Sequence, residues 1–343
     1  MDRQHVAIPK KRIIFTAKPT PCDMFESLEA IDNIRLNFSE GGLLYMNITL
    51  ACIMFGVAME IKIENFKKIF LYPKSAVLGI VSQFLILPAL TFALVIMLNP
   101  PPSVAMGMIL IAACPGGNIS NFISALAKAN IALSVGLTAF ATLSATFFTP
   151  FNFAFWGGMY VRYYQQAGHL NIPIQIDFLE MAKTVFILLG IPLIAGMLFA
   201  HQFPKFAERN MKKIKITSIL LYLSFIAGAL ISNLEHFTYV IFPIGLLVFL
   251  LNVQTLSTGY MVGTVARVPK ADRRTLSIET GIQNSGLALV LIFNIFHGNG
   301  GMAFMAAWWG IWQMVSGLLV AWALSRIRIP EMKLSEVRVK SDR

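Results

Sequence analysis

The sequence predicts an all-α, polytopic membrane protein. Of its 343 residues, 56% are hydrophobic and only 13% are charged, which is too little charge to cover a soluble protein of this length. Mean hydropathy is +0.67. Nine segments are long and apolar enough to cross a bilayer as helices, and two of them carry glycine and polar residues near the middle.

The predicted spans follow one another closely, so a single membrane domain fits residues 41–327. In chain order they are about 43–60, 76–98, 104–127, 131–157, 180–201, 216–234, 237–264, 275–296 and 302–325. Residues 1–40 hold no apolar run that could form a signal-peptide core, and we expect them to be extramembrane. Residues 328–343 form a basic tail.

Lysine and arginine are concentrated in alternate loops of the nine-span arrangement. Most of the 28 cations lie on the side that follows the odd-numbered spans. By the positive-inside rule this side is cytoplasmic, so we expect the N-terminus outside and the C-terminus inside. Because the net charge of +11 collects at membrane-facing loop ends, it does not indicate nucleic-acid binding. No organellar transit composition is evident, and we expect the cytoplasmic (inner) membrane.

The third and eighth segments are predicted to be broken helices. Pro115, Gly116 and Gly117 interrupt the third, since proline removes a backbone donor and glycine weakens a helix. The eighth carries glycines and also Glu279, an acid inside a span. Because an ionisable group is costly in a membrane, we take Glu279 as a candidate functional residue. An alternative is that Glu279 lies at the membrane interface and pairs with a nearby arginine at 273 or 274.

The two breaks share a pattern of glycine, a short polar run and an apolar half. Their starts are five spans apart, so the two helices have opposite orientations. Such a pair indicates an inverted-repeat transporter, in which the second to fourth and seventh to ninth spans match and the site lies where the broken helices cross. Unwound backbone and side-chain oxygens would bind cations there, and the half-helix N-termini would face an anion.

Hard oxygen donors surround both breaks, and they suit Na⁺ or a proton better than a transition metal. These donors are Gln83, Ser120, Asn121, Ser134, Thr138, Glu279 and Gln283. An alternative for each Ser and Thr is a bond back to its own helix. No metal-ligand spacing or nucleophile–base pair appears, so we expect no enzyme and no cofactor.

The chain resembles the bile acid:sodium symporter family over about residues 42–327. The resemblance rests on "CPGGNISN" (114–121), "NIALSVGLT" (130–138) and "ETGIQNSGLA" (279–288), with support from 53–62 and 82–88. It implies two crossing discontinuous helices in a core domain, about 76–157 and 237–325. It also implies a panel domain, about 43–60 and 180–234.

The resemblance further implies sodium-coupled symport of an organic anion, a bile acid or small carboxylate, by alternating access with two Na⁺. One sodium site would use Ser120, Asn121, Ser134, Thr138 and Glu279. The second would use Gln83, Glu279, Thr280, Ile282 and Gln283, partly through backbone oxygens.

Substrate contacts implied by the resemblance are Asn118, Ile119, Asn284 and Gln313, although Asn118 could instead cap the second half-helix. The expected partners are therefore Na⁺, an organic anion and the lipid bilayer, with no obligate protein partner. Alternatives from the residues are a proton-coupled or uncoupled organic-anion carrier, or a channel.

Overall fold

The computed structural model describes residues 40–59, 61, 69–117, 119–166, 177–231 and 234–327. Within these ranges the regular elements are helices, and the only β-type pairing is one isolated bridge. The all-α prediction is confirmed for this part of the chain. The predicted N-terminal segment and the basic tail lie outside the described residues.

The main helices are labelled here in chain order. They are α1 Glu40–Ala58, α2 Pro73–Leu98, α3 Pro102–Ala113, α4 Ile119–Leu126, α5 Ile131–Gln166, α6 Phe178–Gln202, α7 Pro204–Ile231, α8 Leu234–Val265, α9 Lys270–Gly281, α10 Ser285–Asn294 and α11 Gly300–Arg326.

Six described helices are long and apolar enough to cross a membrane, namely α1, α2, α5, α6, α8 and α11. They coincide with the first, second, fourth, fifth, seventh and ninth predicted spans. The protein is therefore a multi-pass membrane protein. The sixth predicted segment falls mostly within α7, which is not among these six, and the count of nine remains a prediction.

The third and eighth predicted segments are each interrupted. The third is divided into α3 and α4, and the eighth into α9 and α10. The apolar halves α3 and α10 are short, with 12 and 10 residues, and their side chains are buried almost throughout. Because neighbouring helices surround them, they have no need of a lipid-spanning length.

Helices α2 and α6 each contain one wider, π-helical turn, Ser82–Ile86 and Phe186–Gly190. A proline, Pro88 or Pro192, stands second in the α-helical turn that follows. Proline has no N–H for the normal helical bond, and such irregularities relieve the conflict. In α2 the widened turn carries Gln83, one of the predicted sodium ligands.

Helix α9 begins at Lys270, five residues before the predicted start of the eighth span. The added turn is charged, so a hydropathy pattern excludes it. It is nevertheless helical and packed inside the protein, because Asp272 and Arg274 are buried and hydrogen-bonded. The helix and the membrane span need not begin at the same residue, so the span boundary of about 275 remains a prediction.

Part of the outer surface is built for lipid. Phe147, Phe151 and Phe155 lie four residues apart on one face of α5 and are 58%, 46% and 50% exposed. Their rings stack in sequence, with centroids 5.7 and 6.4 Å apart. An exposed aromatic ladder of this kind would be a liability in water and suits a hydrocarbon environment.

Close packing of α1 against α6 depends on Gly196. A Cβ added there would lie 2.7 Å from the Cβ of Ala58 and still closer to the carbonyl oxygen of Phe55. By contrast, no atom of the described residues lies within 4 Å of a Cβ added at Gly158 in α5. The two glycines therefore allow a matched comparison.

We predict that Gly196→Ala lowers the melting temperature in detergent, because forced separation of α1 and α6 costs about 1–3 kcal/mol. Gly158→Ala should raise it slightly, since alanine is favoured over glycine in a helix by roughly 0.5–1 kcal/mol. Thermal unfolding of both variants beside wild type checks this. Equal melting temperatures would show that α1 and α6 are not in close contact.

Candidate functional site

The two helix breaks cross and bind each other through their backbones. The N–H of Gly117 donates to the carbonyl oxygen of Ile282 at 2.9 Å, and the N–H of Asn284 donates to that of Pro115, also at 2.9 Å. Backbone groups released by unwinding are costly in a membrane unless they find partners. Here each break supplies the partners that the other lacks.

Glycine suits this crossing because the two chain segments approach closely. A Cβ on Gly116 would stand 3.2 Å from the carbonyl oxygen of Glu279 and 3.4 Å from its Oε2. A Cβ on Gly117 would stand 3.2 Å from the carbonyl oxygen of Gln283. The glycine pair therefore serves close approach as well as the break itself.

Glu279 is buried beside the crossing, with 5% of its surface exposed. Ser120 donates to its Oε1 at 2.7 Å, and Ser134 also donates to Oε1. The hydroxyl of Thr138 lies 3.0 Å from Oε2. These three hydroxyls come from α4 and α5, so the carboxylate joins helices on both sides of the crossing.

The cluster holds more acceptor oxygens than protons. The amide oxygen of Asn121 lies 2.9 Å from the hydroxyl oxygen of Ser134 and 3.2 Å from that of Thr138, which also face Glu279. Each hydroxyl has a single proton to donate, so it cannot satisfy both acceptors at once. The structure thus brings all five predicted ligands of the first site together, in an arrangement that a cation would complete.

Within the described residues, Glu279 is not paired with Arg273 or Arg274, as the alternative interpretation required. Arg274 donates instead to the carbonyl oxygens of Ala127 and Ile327, at 2.9 and 2.7 Å. Arg273 donates to the carbonyl oxygen of Val268 at 2.7 Å. Back-bonding to the helix occurs as well: the hydroxyl of Thr138 is 3.0 Å from the carbonyl of Ser134, although it also faces Glu279.

The predicted ligands of the second site form a separate group. Gln83 and Gln283 face each other, with Nε2 of Gln83 donating to Oε1 of Gln283 at 2.8 Å. Gln83 also donates to the carbonyl of Cys114 at 3.1 Å, and Gln283 donates to that of Thr280 at 2.8 Å. The carbonyl of Ile282 accepts from the other break. Glu279, assigned to both sites, is bonded within the first cluster.

The four predicted substrate positions differ in their surroundings. Asn118 lies outside the described residues, so neither its substrate role nor its capping role is tested. Ile119 begins α4 and is half-buried against apolar neighbours. Asn284 caps α10, its amide oxygen accepting from the N–H of Leu287 at 3.0 Å. Gln313 is buried, and its Oε1 accepts from the N–H of Gln283 at 2.9 Å.

A second buried polar group was missed by the sequence reasoning. Asp272, 4% exposed, accepts a hydrogen bond from the hydroxyl of Ser75 at 2.5 Å and from the amide of Asn130 at 2.9 Å. Thr275, one turn along α9, accepts from the N–H of Asn130 at 2.9 Å. The available signal was an acid in the first turn of a helix, just after Pro269.

Comparison with known proteins identifies the fold family. The sodium bile acid symporter family matches residues 47–240, which is more than half of the chain. The chain belongs to this family. The matched region includes the first break and ends before the second. Support for the second break, between α9 and α10, therefore comes from the geometry described above.

Similar proteins occur in bacteria and animals. The uncharacterized sodium-dependent transporter YocS of Bacillus subtilis (strain 168) is 29% identical over 281 residues, or 81% of this chain and 82% of that protein. The human P3 protein is 30% identical over 259 residues, 75% of this chain and 52% of that protein. The human ileal sodium/bile acid cotransporter is 27% identical over 249 residues, 72% of this chain and 68% of that protein.

The chain spans about half the length of the P3 proteins that it matches. A link to sodium is common to the descriptions of YocS and the ileal protein. The family is one of transporters.

Gln313 provides a test of the crossing itself. We predict that Gln313→Met lowers stability by about 1–3 kcal/mol, because the buried N–H of Gln283 loses its acceptor. Ser316→Ala, which removes a buried hydroxyl of the same helix that bonds the carbonyl of Gln313 at 3.3 Å, is the control and should lose less. Melting temperatures of the two variants in the same detergent check this, and the prediction fails if the methionine variant is as stable as wild type.

Proposed function

We propose that this protein is a sodium-coupled secondary active symporter of an organic anion that works by alternating access. The observation that carries the proposal is the Glu279 cluster, a buried carboxylate whose surrounding oxygens exceed the protons available to them. Uncharged hydroxyls compensate a buried negative charge only in part. A bound Na⁺ would supply the missing positive charge and the missing partner for Asn121.

Two Na⁺ are bound per cycle. The first occupies the cluster of Ser120, Asn121, Ser134, Thr138 and Glu279. The second occupies the group of Gln83, Glu279, Thr280, Ile282 and Gln283. Because the two glutamine side chains bind each other, the second ion enters only after their amides exchange partners. The first site therefore fills before the second.

The anion docks near the crossing, where the N-termini of α4 and α10 offer the positive ends of two helix dipoles. Asn118, Ile119, Asn284 and Gln313 lie on these segments or bind to them, and they form the anion's surroundings. The relatives described as sodium/bile acid and sodium/metabolite cotransporters support this ligand class. A bile acid and a small carboxylate are both compatible with it.

Alternating access is a movement of a core domain against a panel domain. Nine spans form an inverted-repeat core, about 76–157 and 237–325, and a panel, about 43–60 and 180–234. Contacts of α1 with α6 and α7 support the panel grouping.

The protein lies in the cytoplasmic membrane with its N-terminus outside. Two Na⁺ with one monoanion carry a net +1 charge, and the potential contributes about 2.3 kcal/mol per 100 mV to uptake.

Proton coupling through the same carboxylate is the second candidate, favoured because Glu279 is the one buried acid at the crossing among the described residues. A proton requires only the carboxylate, whereas Na⁺ also uses the hydroxyl and amide oxygens. The two candidates therefore respond differently to the choice of salt and to removal of a hydroxyl.

We predict that NaCl raises the melting temperature of the purified protein above that in KCl at equal ionic strength. Glu279→Ala should abolish the difference, because a ligand stabilises only the state that binds it. Ser277→Ala, at a buried hydroxyl of α9 that bonds the carbonyl of Leu256, is the matched control and should keep it. No difference between the salts in wild type would refute sodium binding.

We predict further that Ser134→Ala abolishes sodium-dependent uptake into proteoliposomes. It removes one of the two hydroxyl oxygens that face both Glu279 and Asn121, and a proton-coupled carrier does not need that oxygen. The assay measures ²²Na⁺ entry stimulated by taurocholate, pantoate or pyruvate, with Ser277→Ala as control. Uptake retained by Ser134→Ala in the presence of Na⁺ would contradict the ligand assignment.

A further inference from the structure

A polar hub joins the N-terminal ends of three helices. Asp272 stands in the first turn of α9, Ser75 in the first turn of α2, and Asn130 caps α5, where its amide oxygen accepts from the N–H of Leu133 at 3.1 Å. The carboxylate of Asp272 accepts from both neighbours, one oxygen for each. We refer to Asp272, Ser75 and Asn130 as the hub.

The same three helices carry the oxygen groups at the crossing. Glu279 follows Asp272 by seven residues, and Ser134 follows Asn130 by four, so each pair lies on nearly one face of its helix. On α2, Ser82 follows Ser75 by seven residues and its hydroxyl lies 2.9 Å from that of Thr280. At the rise of an α-helix, these spacings place the hub roughly 6 to 11 Å from the crossing along each helix.

The charge of the hub is accounted for without a bound cation. Asp272 lies where the positive dipole ends of α2, α5 and α9 converge, and such ends stabilise an anion. Its bonds come from an uncharged hydroxyl and amide, and within the described residues it forms no ion pair. The carboxylate thus attracts three helix ends to one point, which fixes how far each helix can slide along its neighbours.

The geometry of the Glu279 cluster depends on the register of these helices, that is, on their positions along one another. Ser134 and Thr138 come from α5 and Glu279 from α9, and their oxygens lie within 3.2 Å of one another across the two helices. A slide of one helix by about an ångström would break these contacts, since hydrogen bonds tolerate only a few tenths of an ångström. Thr275, which bonds the backbone N–H of Asn130, ties the same two helices between the hub and the cluster.

We propose that Asp272 is a positioning residue for sodium binding: it locks α2, α5 and α9 in register and thereby sets the sodium affinity of the Glu279 cluster. This inference rests on the proposed function, since it assumes that the cluster binds Na⁺. Asp272 itself touches neither the ion nor the substrate.

The test is a titration of melting temperature with NaCl, with KCl keeping ionic strength constant. It yields two numbers for each variant, the melting temperature without Na⁺ and the Na⁺ concentration at half-maximal stabilisation. We expect Asp272→Asn to raise this midpoint at least about fivefold. Ser277→Ala, on the same helix but outside the hub, should leave the midpoint within about twofold of wild type.

A swap of the two hub side chains separates positioning from simple loss of stability. Asn130→Asp alone places two carboxylates face to face and should raise the midpoint most. Asp272→Asn combined with Asn130→Asp restores one carboxylate and one amide with exchanged positions, and the carboxylate introduced at position 130 can still cap α5. We expect the double variant to recover a midpoint within about threefold of wild type, a non-additivity typical of residues in contact.

Each outcome decides the matter. A lowered melting temperature for Asp272→Asn with an unchanged Na⁺ midpoint would overturn the proposal and leave Asp272 with a structural role only. Failure of the double variant to recover would overturn it as well. If Asp272→Asn does not fold, Ser75→Ala removes one arm of the hub and should still raise the midpoint. If Na⁺ does not change the melting temperature of the wild-type protein, the proposed function is refuted instead. The wild type is therefore measured first.

Discussion

Backbone groups in a non-aqueous environment must find partners within the protein, and this requirement governs the whole arrangement. A helix interrupted inside a membrane exposes N–H and carbonyl groups that lipid cannot satisfy. Here the two interruptions satisfy each other, from Gly117 to Ile282 and from Asn284 to Pro115. Once the breaks must meet, the half-helices that end at them are held in place, and the side chains that follow are brought to a common centre.

The buried charges of the described residues differ in how well their surroundings compensate them. Asp272 lies at converging helix N-termini, whose positive dipole ends stabilise it. Arg274 binds the carbonyls of Ala127 and Ile327, just beyond the C-terminal ends of α4 and α11, where the dipole ends are negative. Glu279 stands near the other end of α9, and its hydrogen-bond partners among the described residues are hydroxyl groups. It is the charge with the least compensation, and its neighbours have oxygens to spare.

The two groups of predicted ligands differ in how completely their hydrogen bonds are already satisfied. In the Glu279 cluster the amide oxygen of Asn121 competes with the carboxylate for the same hydroxyl protons. In the glutamine group, Gln83 and Gln283 already bind each other and nearby backbone carbonyls. A site with unmet acceptors binds an ion without rearrangement, whereas a saturated site must first break bonds. If both groups bind Na⁺ as proposed, this difference predicts that the Glu279 cluster fills first.

Composition and local pattern were enough to establish the class of the protein, most of its spans and the position of both breaks. Hydropathy depends on composition within a window, and proline and glycine act locally, so these features require no knowledge of distant contacts. The motif around Glu279 also identified which side chains belong together. Their partners, by contrast, depend on the folded chain: Gly117 binds Ile282, Arg274 turns away from Glu279, and Gln313 holds the second break. The hub at Asp272 belongs to this second category. Ser75 and Asn130 are 197 and 142 residues from Asp272 along the chain, and neither is unusual in its local sequence. Only the packing of α2, α5 and α9 brings three helix ends to one carboxylate.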